Sequence, residues 1–477
     1  MTRRVMILAA GVGSGHNMAA EAVESEVAAV AGDVEVRRLD ILATTSEAFN
    51  RLYDDAYFQL VSQVPWLVGW SYDNADPPFK RAQPLQWLEQ LNTIAFVREL
   101  RDYDPDVVVC THFLPARLVS VLMARRQLAT SLSIVATDYD FQGLWLTTPF
   151  HRFFVARPET RQYMIDIGVP DDRVTDSGIP VGGDLSTAVE AAALRARLGL
   201  HPDLPVVLVS AGASGGGYAA QVVQQTLRMS QPCQVVVVCG RNAGLKGEVD
   251  ALVAGRDNYL VLGFTDELAL LMRVASLFVG KPGGLSSSEC MAAGLPMVII
   301  NPIPGQEFRN ADYLLEEGAA VRCNYATTVG YKLDQLLADP ARLARMAANA
   351  ARIGRPYAAR QVAQDALAET GAPLWISREA QRSMLQAGEL GVAAADLEPA
   401  LRLATLLDAE TARSLAVVTL PELDGLGAVP GADTVLLRRS QLNTLRWQPE
   451  KFDLVTTGRW LLGESEERLV GVAPAGP

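Results

Sequence analysis

The stretch Val279–Asn310, reading VGKPGGLSSSECMAAGLPMVIINPIPGQEFRN, constrains this chain more than any other. An apolar run, Leu277 to Val279, reads as a strand and breaks at Gly280-Lys281-Pro282-Gly283-Gly284. Ser286 to Ser288 then offer capping hydroxyls before a helical run that holds Glu289, Met291 and Leu295. A second apolar run, Met297 to Ile300, leads into Gln306-Glu307-Phe308-Arg309-Asn310. Strand, glycine turn and helix start together make an anion site. The first-turn N–H groups are unpaired, the dipole is positive there, and glycines admit a diphosphate to the backbone. Most such turns are plain strand–helix crossovers whose serines only cap the helix. Glu289, one turn in and able to accept from ribose hydroxyls, sets this one apart, as does the polar cluster after the next strand. A nucleotide-sugar asks for those three contacts.

A chain of 477 residues holds two or three domains with ample core. Its net charge of −12 argues against a nucleic-acid partner, which needs a basic face, and makes any membrane contact local. The five cysteines are odd in number, scattered and without a metal spacing, so they read as reduced core residues of a cytoplasmic protein. Four histidines (His16, His112, His151, His201) are too few and too dispersed for a multi-histidine metal site. The apolar core Val5 to Ala10 is too short for a signal peptide and reads as a buried first strand. No apolar run reaches the ~20 residues that span a bilayer.

Val5–Ala10, a helix over Met18–Val30 and a strand over Val34–Asp40 make one βαβ unit, with Gly11, Gly13 and Gly15 at its turn. Residues 45 to 101 are rich in aromatics, among them Trp66, Trp70 and Phe79, followed by Lys80-Arg81. They read either as an amphipathic helical pair filling the core or as an interfacial surface dipping into lipid. Strands return at Val107–Cys110 and Ser133–Thr137, ending in Thr111-His112 and Thr137-Asp138 where open α/β sheets place ligands. A second α/β series starts at Val206–Ser210, followed by the loop Ala211-Gly212-Ala213-Ser214-Gly215-Gly216-Gly217 and a helix from Tyr218. Strands at Gln234–Cys239 and Tyr259–Leu262 end in Gly240-Arg241-Asn242 and Gly263-Phe264-Thr265-Asp266. Residues 333 to 370 read as continuously helical, and 376 to 415 as helical before a mixed tail.

These motifs, taken in order, resemble the monogalactosyldiacylglycerol synthase and processive diacylglycerol glucosyltransferase family. The resemblance rests on Gly11 to His16, Thr137-Asp138-Tyr139 with Trp145, Ser210 to Gly217 and Gly263-Phe264-Thr265. It continues through Lys281-Pro282-Gly283-Gly284, Ser288-Glu289, Gly294-Leu295-Pro296 and Gly305-Gln306-Glu307 with Asn310. It covers roughly residues 1 to 370 and implies an α/β fold of the GT-B type, two Rossmann-like domains facing a cleft, plus a C-terminal extension of unknown fold. The expected division is 1–184 on the acceptor and membrane side, 185–370 for the nucleotide-sugar with helices crossing back, and 371–477 without an assigned role. Two departures stand out: Gln142 occupies the place of the histidine expected in TD(F/Y)xxHxxW, and bulky Phe308 and Arg309 follow Gln306-Glu307.

The resemblance implies an inverting transfer of a hexose from a UDP-sugar to a lipid hydroxyl of the diacylglycerol type. The expected setting is the cytoplasm, at the inner face of the membrane. The alternatives are a soluble transferase with a non-lipid acceptor, and a relative that binds or isomerises UDP-sugars. Such a displacement needs a base for the acceptor and stabilisation of the leaving diphosphate. His16 is the first choice for the base, His112 the second, and Asp138 either orients the histidine or takes the proton itself. The donor is expected on Gly15, Gly212, Ser214, Gly215, Gly216, Gly283, Gly284 and Ser286. Arg241 and Lys281 act as counter-charges, Glu289 holds the ribose, Phe264 the uracil, and Gln306 with Glu307 the sugar, while Asn310 falls to the donor side as well. Trp66, Trp70, Phe79, Lys80, Arg81 and Gln142 fall to the membrane and acceptor side. No cofactor or metal is expected, since Asp138-Tyr139-Asp140 reads as a chance DxD, and homo-oligomerisation is left open.

Overall fold

The computed structural model describes residues 2–11, 15–44, 76–80, 94–182, 185, 190–213, 215–216, 218–390, 393–396, 435–438, 452–462 and 465–474. Two six-stranded parallel sheets dominate. The first comprises β1 (Arg3–Ala9), β2 (Val34–Asp40), β3 (Val107–Cys110), β4 (Ser131–Val135), β5 (Arg152–Val155) and β6 (Val174–Asp176) in the order β2-β1-β3-β4-β5-β6. Its helices are α1 (Gly15–Val30), α2 (Ile94–Tyr103), α3 (Phe113–Ala124) and α4 (Pro158–Asp166). Residues Val5 to Ala9 are fully buried because both faces of the strand are covered, which explains their unbroken apolar run.

The second sheet comprises β7 (Val206–Ser210), β8 (Gln234–Val238), β9 (Tyr259–Leu262), β10 (Leu277–Gly280), β11 (Met297–Ile300) and β12 (Ala320–Cys323), in the order β12-β11-β10-β7-β8-β9. Its helices are α5 (Ala191–Arg197), α6 (Tyr218–Thr226), α7 (Ala243–Leu252), α8 (Leu268–Val274), α9 (Gly284–Ala292), α10 (Gln306–Glu316) and α11 (Val329–Leu337). Val207 and Val209 face one core and Leu208 the other. In both sheets the first strand of the series lies inside, so the order reverses there: between β1 and β3, and between β7 and β10. Open α/β sheets bind ligands in the crevice that opens at such a reversal, beyond the carboxyl ends of the strands.

Two further helices, α12 (Pro340–Ile353) and α13 (Ala358–Ala368), complete this part of the chain. Val362, Ala363 and Ala366 of α13 share a core with Val5, Ile7, Val107 and Val23, so the chain returns to the first sheet after finishing the second. This is the GT-B arrangement. The run 333–370 is not one helix, however. Asp339 caps α12 by accepting from Arg342 N at 2.9 Å, and Pro340 opens it. Proline fits a first turn and cannot continue a preceding helix. A second break falls at Gly354-Arg355-Pro356.

A separate compact unit contains α14 (Arg378–Leu390) together with β13 (Val435–Arg438), β14 (Phe452–Leu462) and β15 (Ser465–Pro474). The three strands form an antiparallel sheet in the order β13-β15-β14. Within this unit the Lys80 ammonium lies 3.7 Å from the Glu389 carboxylate, and Phe79 is half-buried. Lys80 is therefore engaged by protein, not presented free to a lipid headgroup. Trp66, Trp70 and Arg81 lie outside the described residues.

Candidate active site

The reversal point of the first sheet carries the histidines. Gly11 leaves β1 with its N–H on Asp40 Oδ1 at 3.0 Å, and Asp40 also accepts from Asn17 Nδ2 at 2.9 Å and Leu42 N at 3.0 Å. That carboxylate, at the end of β2, pins both sides of the glycine turn. His16 then enters α1 with Nδ1 2.9 Å from the Thr111 carbonyl oxygen and 2.9 Å from Thr137 Oγ1. A carbonyl only accepts, so Nδ1 carries the hydrogen and the lone pair sits on Nε2. Burial pushes the His16 imidazolium down to about 4, against the Thr111 carbonyl and the Asp40 charge, which favour it. Asp138 is not among the groups that orient this ring.

His112 has the opposite tautomer. Its Nδ1 accepts from Leu114 N at 3.1 Å and caps α3, which leaves the hydrogen on Nε2. The ring is buried, which with the nearby His16 holds its pKa well below the ordinary histidine value, and it meets His16 edge to face at 4.5 Å. Trp145 lies 6.3 Å from His16 and 6.2 Å from His112. Gln142, in place of the expected histidine, caps the short turn Gly143–Trp145 by accepting from Leu144 N at 2.9 Å. It is buried and sets where Trp145 sits.

The reversal point of the second sheet carries the residues expected to hold an anion. Gly283 caps α9 without a side chain, and the helix begins at Gly284, not at the serines. Ser286 to Ser288 are therefore inside the first turns. Ser287 Oγ donates back to the Gly283 carbonyl at 2.6 Å, and Ser288 Oγ meets Tyr139 OH at 3.1 Å. Beside this lies the loop after β7. Gly215, at φ +75°, is so close to Asn242 and the Cys239 carbonyl that a Cβ would strike both, and Asn242 Nδ2 donates to the Gly215 carbonyl at 3.1 Å. Among the described residues nothing approaches Gly212 within 4 Å of where a Cβ would stand. Gly216 N closes the turn onto the Ala211 carbonyl at 2.8 Å, while Ser214 lies outside the described residues.

Cations and acids ring this mouth. Lys281 Nζ stands 5.9 Å from the Tyr218 ring centroid and has no ion pair among the described residues. The Arg241 guanidinium stacks 4.4 Å over the Phe264 ring, and both are exposed. Glu289 is buried, no hydrogen bond reaches its carboxyl among the described residues, and burial alone pushes its pKa up to about 7. Glu307 is buried too, its pKa raised by burial against Lys281 and the Ile303 N–H, which Oε2 accepts at 2.6 Å. Gln306 opens α10 after Gly305, at φ +97°.

The two halves meet at residues 137–139. Asn310, fully buried, accepts from Tyr139 N at 3.1 Å and donates to the Pro282 carbonyl at 3.2 Å. Burial pushes Asp138 up to about 7; Asn310 opposes that shift, and the charges of Glu307 and Asp140 add to it. Asp140 is paired with Arg157, while Asp138 has Asn310 as a partner. Gly15 packs on Leu285, bringing the start of α1 against α9. The sequence reading had the strand ends but gave no role to Asp40, Thr111 or Thr137, whose partners lie far along the chain.

Residues 16–181 match the family model for monogalactosyldiacylglycerol (MGDG) synthase, and residues 206–362 that for the glycosyltransferase family 28 C-terminal domain. A processive diacylglycerol beta-glucosyltransferase of Staphylococcus saprophyticus subsp. saprophyticus is 31% identical over 264 residues, 55% of this chain and 67% of its own length. Its counterpart in Bacillus mycoides (strain KBAB4) is 28% identical over 372 residues, 77% of this chain and 94% of its own. The crystal structure of Acinetobacter baumannii MurG shares the fold, with a TM-score of 0.50 at 20% identity over 77% of this chain and 99% of that one.

Proposed function

The chain belongs to the family of monogalactosyldiacylglycerol synthases and processive diacylglycerol glucosyltransferases, and from that premise we propose that it moves a hexose from a UDP-sugar to the hydroxyl of a diacylglycerol-type lipid, with inversion, at a membrane surface. The observation that carries the reading is the pairing of two sites within one body. An imidazole whose Nδ1 hydrogen is held and whose lone pair is on Nε2 stands at one sheet reversal, and a helix N-terminus beside a lysine and a buried carboxylate, both without an ion pair among the described residues, stands at the other.

In this reading the acceptor hydroxyl oxygen attacks the anomeric carbon on the face away from the diphosphate. His16 Nε2 takes the hydroxyl proton as the new C–O bond forms. The bond to the diphosphate breaks, and UDP leaves with the electron pair. Negative charge growing on the diphosphate meets the first-turn N–H groups of α9, with Lys281 and Arg241 as mobile counter-charges. Glu289 accepts from the ribose, which gives its buried carboxyl the partners it lacks, and Phe264 covers the base. Gln306 and Glu307 lie where the hexose hydroxyls fall. Helix dipole and lysine do the work that a divalent ion does elsewhere, so the reaction runs in EDTA.

The test is a panel of UDP-hexoses incubated with diacylglycerol in mixed micelles, with the product identified and its anomeric configuration read by NMR. A β-linked glycolipid from an α-linked donor is expected. UDP release onto a water-soluble acceptor with no lipid product would move the acceptor out of the lipid class. Interconversion of the UDP-sugar without UDP release would end the transfer reading. Co-sedimentation with anionic vesicles checks the membrane surface separately.

A further inference from the structure

Thr137 touches both sites at once. Its side-chain Oγ1 lies 2.9 Å from His16 Nδ1. Its own carbonyl oxygen is pressed against Gly284, the first residue of α9, so closely that no Cβ fits there. The contact is one of close packing, backbone against backbone, at the first residue of the helix. The next residues continue the contact: Tyr139 N donates to Asn310, and Tyr139 OH meets Ser288 Oγ at 3.1 Å. The segment is a short strut from β4 in one sheet to α9 and α10 of the other.

We propose that Thr137 is a positioning residue that couples the His16 base to occupancy of the donor helix, so that the imidazole is fixed for proton transfer when the two sheets are closed on UDP. The proposal rests on the transfer reading above. When His16 takes the acceptor proton it becomes an imidazolium, and its Nδ1–H is then held by two oxygens, the Thr111 carbonyl and Thr137 Oγ1. A hydrogen bond to a charged group is worth more than one to a neutral group, so Thr137 raises the basicity of Nε2. The other titratable groups facing the ring are Asp40, at the end of β2, and His112, at the end of β3. Neither touches Thr137. Removing its hydroxyl therefore changes the ring through one hydrogen bond, and moving the α9 N-terminus changes it through one carbonyl.

The experiment compares wild type, Thr137→Val and Thr137→Ser. The imidazoles of uniformly ¹⁵N-labelled protein are followed by NMR against pH, with and without UDP; four histidines make the spectrum tractable. Wild-type His16 is expected to shift its resonances on UDP addition. Thr137→Val abolishes that response and moves the His16 titration to lower pH, while UDP affinity by calorimetry stays within about twofold. In the transfer assay Thr137→Val loses about 10- to 100-fold in kcat, the cost of one charge-assisted hydrogen bond, and its acid limb shifts to lower pH. Thr137→Ser restores both. A His16 spectrum and UDP response identical in wild type and Thr137→Val overturn the proposal. Should wild type transfer no hexose to diacylglycerol while the NMR coupling persists, the transfer reading fails and the coupling stands.

Discussion

His16 and Thr111 hold each other twice: the imidazole Nδ1–H donates to the Thr111 carbonyl at 2.9 Å, and the Thr111 hydroxyl donates to the His16 carbonyl at 2.9 Å. The end of β3 thereby fixes both the backbone and the ring of a residue in the first turn of α1, the helix that follows β1. The two strands are neighbours at the sheet reversal, which is why residues 95 apart in sequence meet there. A ring locked in this way keeps one nitrogen free and pointed away from its anchors.

The first prediction follows from that ring. His16→Ala is expected to lower kcat by about 10²- to 10⁴-fold, the usual contribution of a general base, with UDP affinity by calorimetry unchanged. Equal losses in both quantities would place the imidazole with the donor. Since burial lowers His16 to about 4, its lone pair stays available well below the ordinary histidine range, and the acid limb of kcat falls below pH 6. Stability has the same sign. The unfolded histidine binds a proton near 6.5 and the folded one near 4, so this contribution falls as pH drops through that window. His16→Ala flattens the Tm profile there.

A second prediction separates the two histidines. His112 caps α3, and asparagine caps as well or better. His112→Asn is therefore expected to keep kcat within a few-fold, whereas His112→Ala loses about 0.5–2 kcal/mol of stability from the cap. A loss in His112→Asn matching that of His16→Ala would put His112 in the proton path.

Much of this was legible before any coordinates. The strands β3, β7, β9 and β11 are apolar runs broken off by polar, proline or glycine residues, and the sequence marks their ends to the residue. The glycine loops and Glu289 announce themselves by spacing. What escaped was set by contacts across the chain. The serines 286–288 look like caps, but the helix already starts at Gly284, where the Thr137 carbonyl leaves no room for a Cβ. His112 reads equally as a base and as a cap, and its distance to Leu114 N shows the capping contact. Asp40 ends its strand like any polar residue; its three hydrogen bonds reach to Gly11, Asn17 and Leu42 across the turn.

Asn310 supplies a third prediction. It is fully buried and joins Tyr139 N to the Pro282 carbonyl. Asn310→Ala leaves a buried donor and a buried acceptor unpaired, about 1–3 kcal/mol of stability for each orphaned group, read as a lower denaturant midpoint. It also takes away the amide that opposes the Asp138 shift, so the Asp138 carboxyl should titrate higher still. Wild-type stability in the variant would show that water fills the gap.

Glu289 gives the sharpest contrast between stability and binding. Burial without a partner raises its pKa to about 7, while the unfolded value is 4.5. The folded state therefore binds the extra proton between those values, and the contribution of this group to stability is present below 4.5 and lost as pH rises through 7. Glu289→Gln removes the charge and keeps the shape, so its Tm should exceed that of wild type at pH 8 and match it at pH 4. UDP binding should move the other way. A carboxylate accepting from ribose hydroxyls makes charge-assisted bonds, and its loss is expected to weaken UDP by about 1–3 kcal/mol at pH 8. Differential scanning fluorimetry and calorimetry on the same two proteins measure both effects. A variant that is stabilised at pH 8 but binds UDP as wild type does would confine Glu289 to the fold and remove it from the ribose.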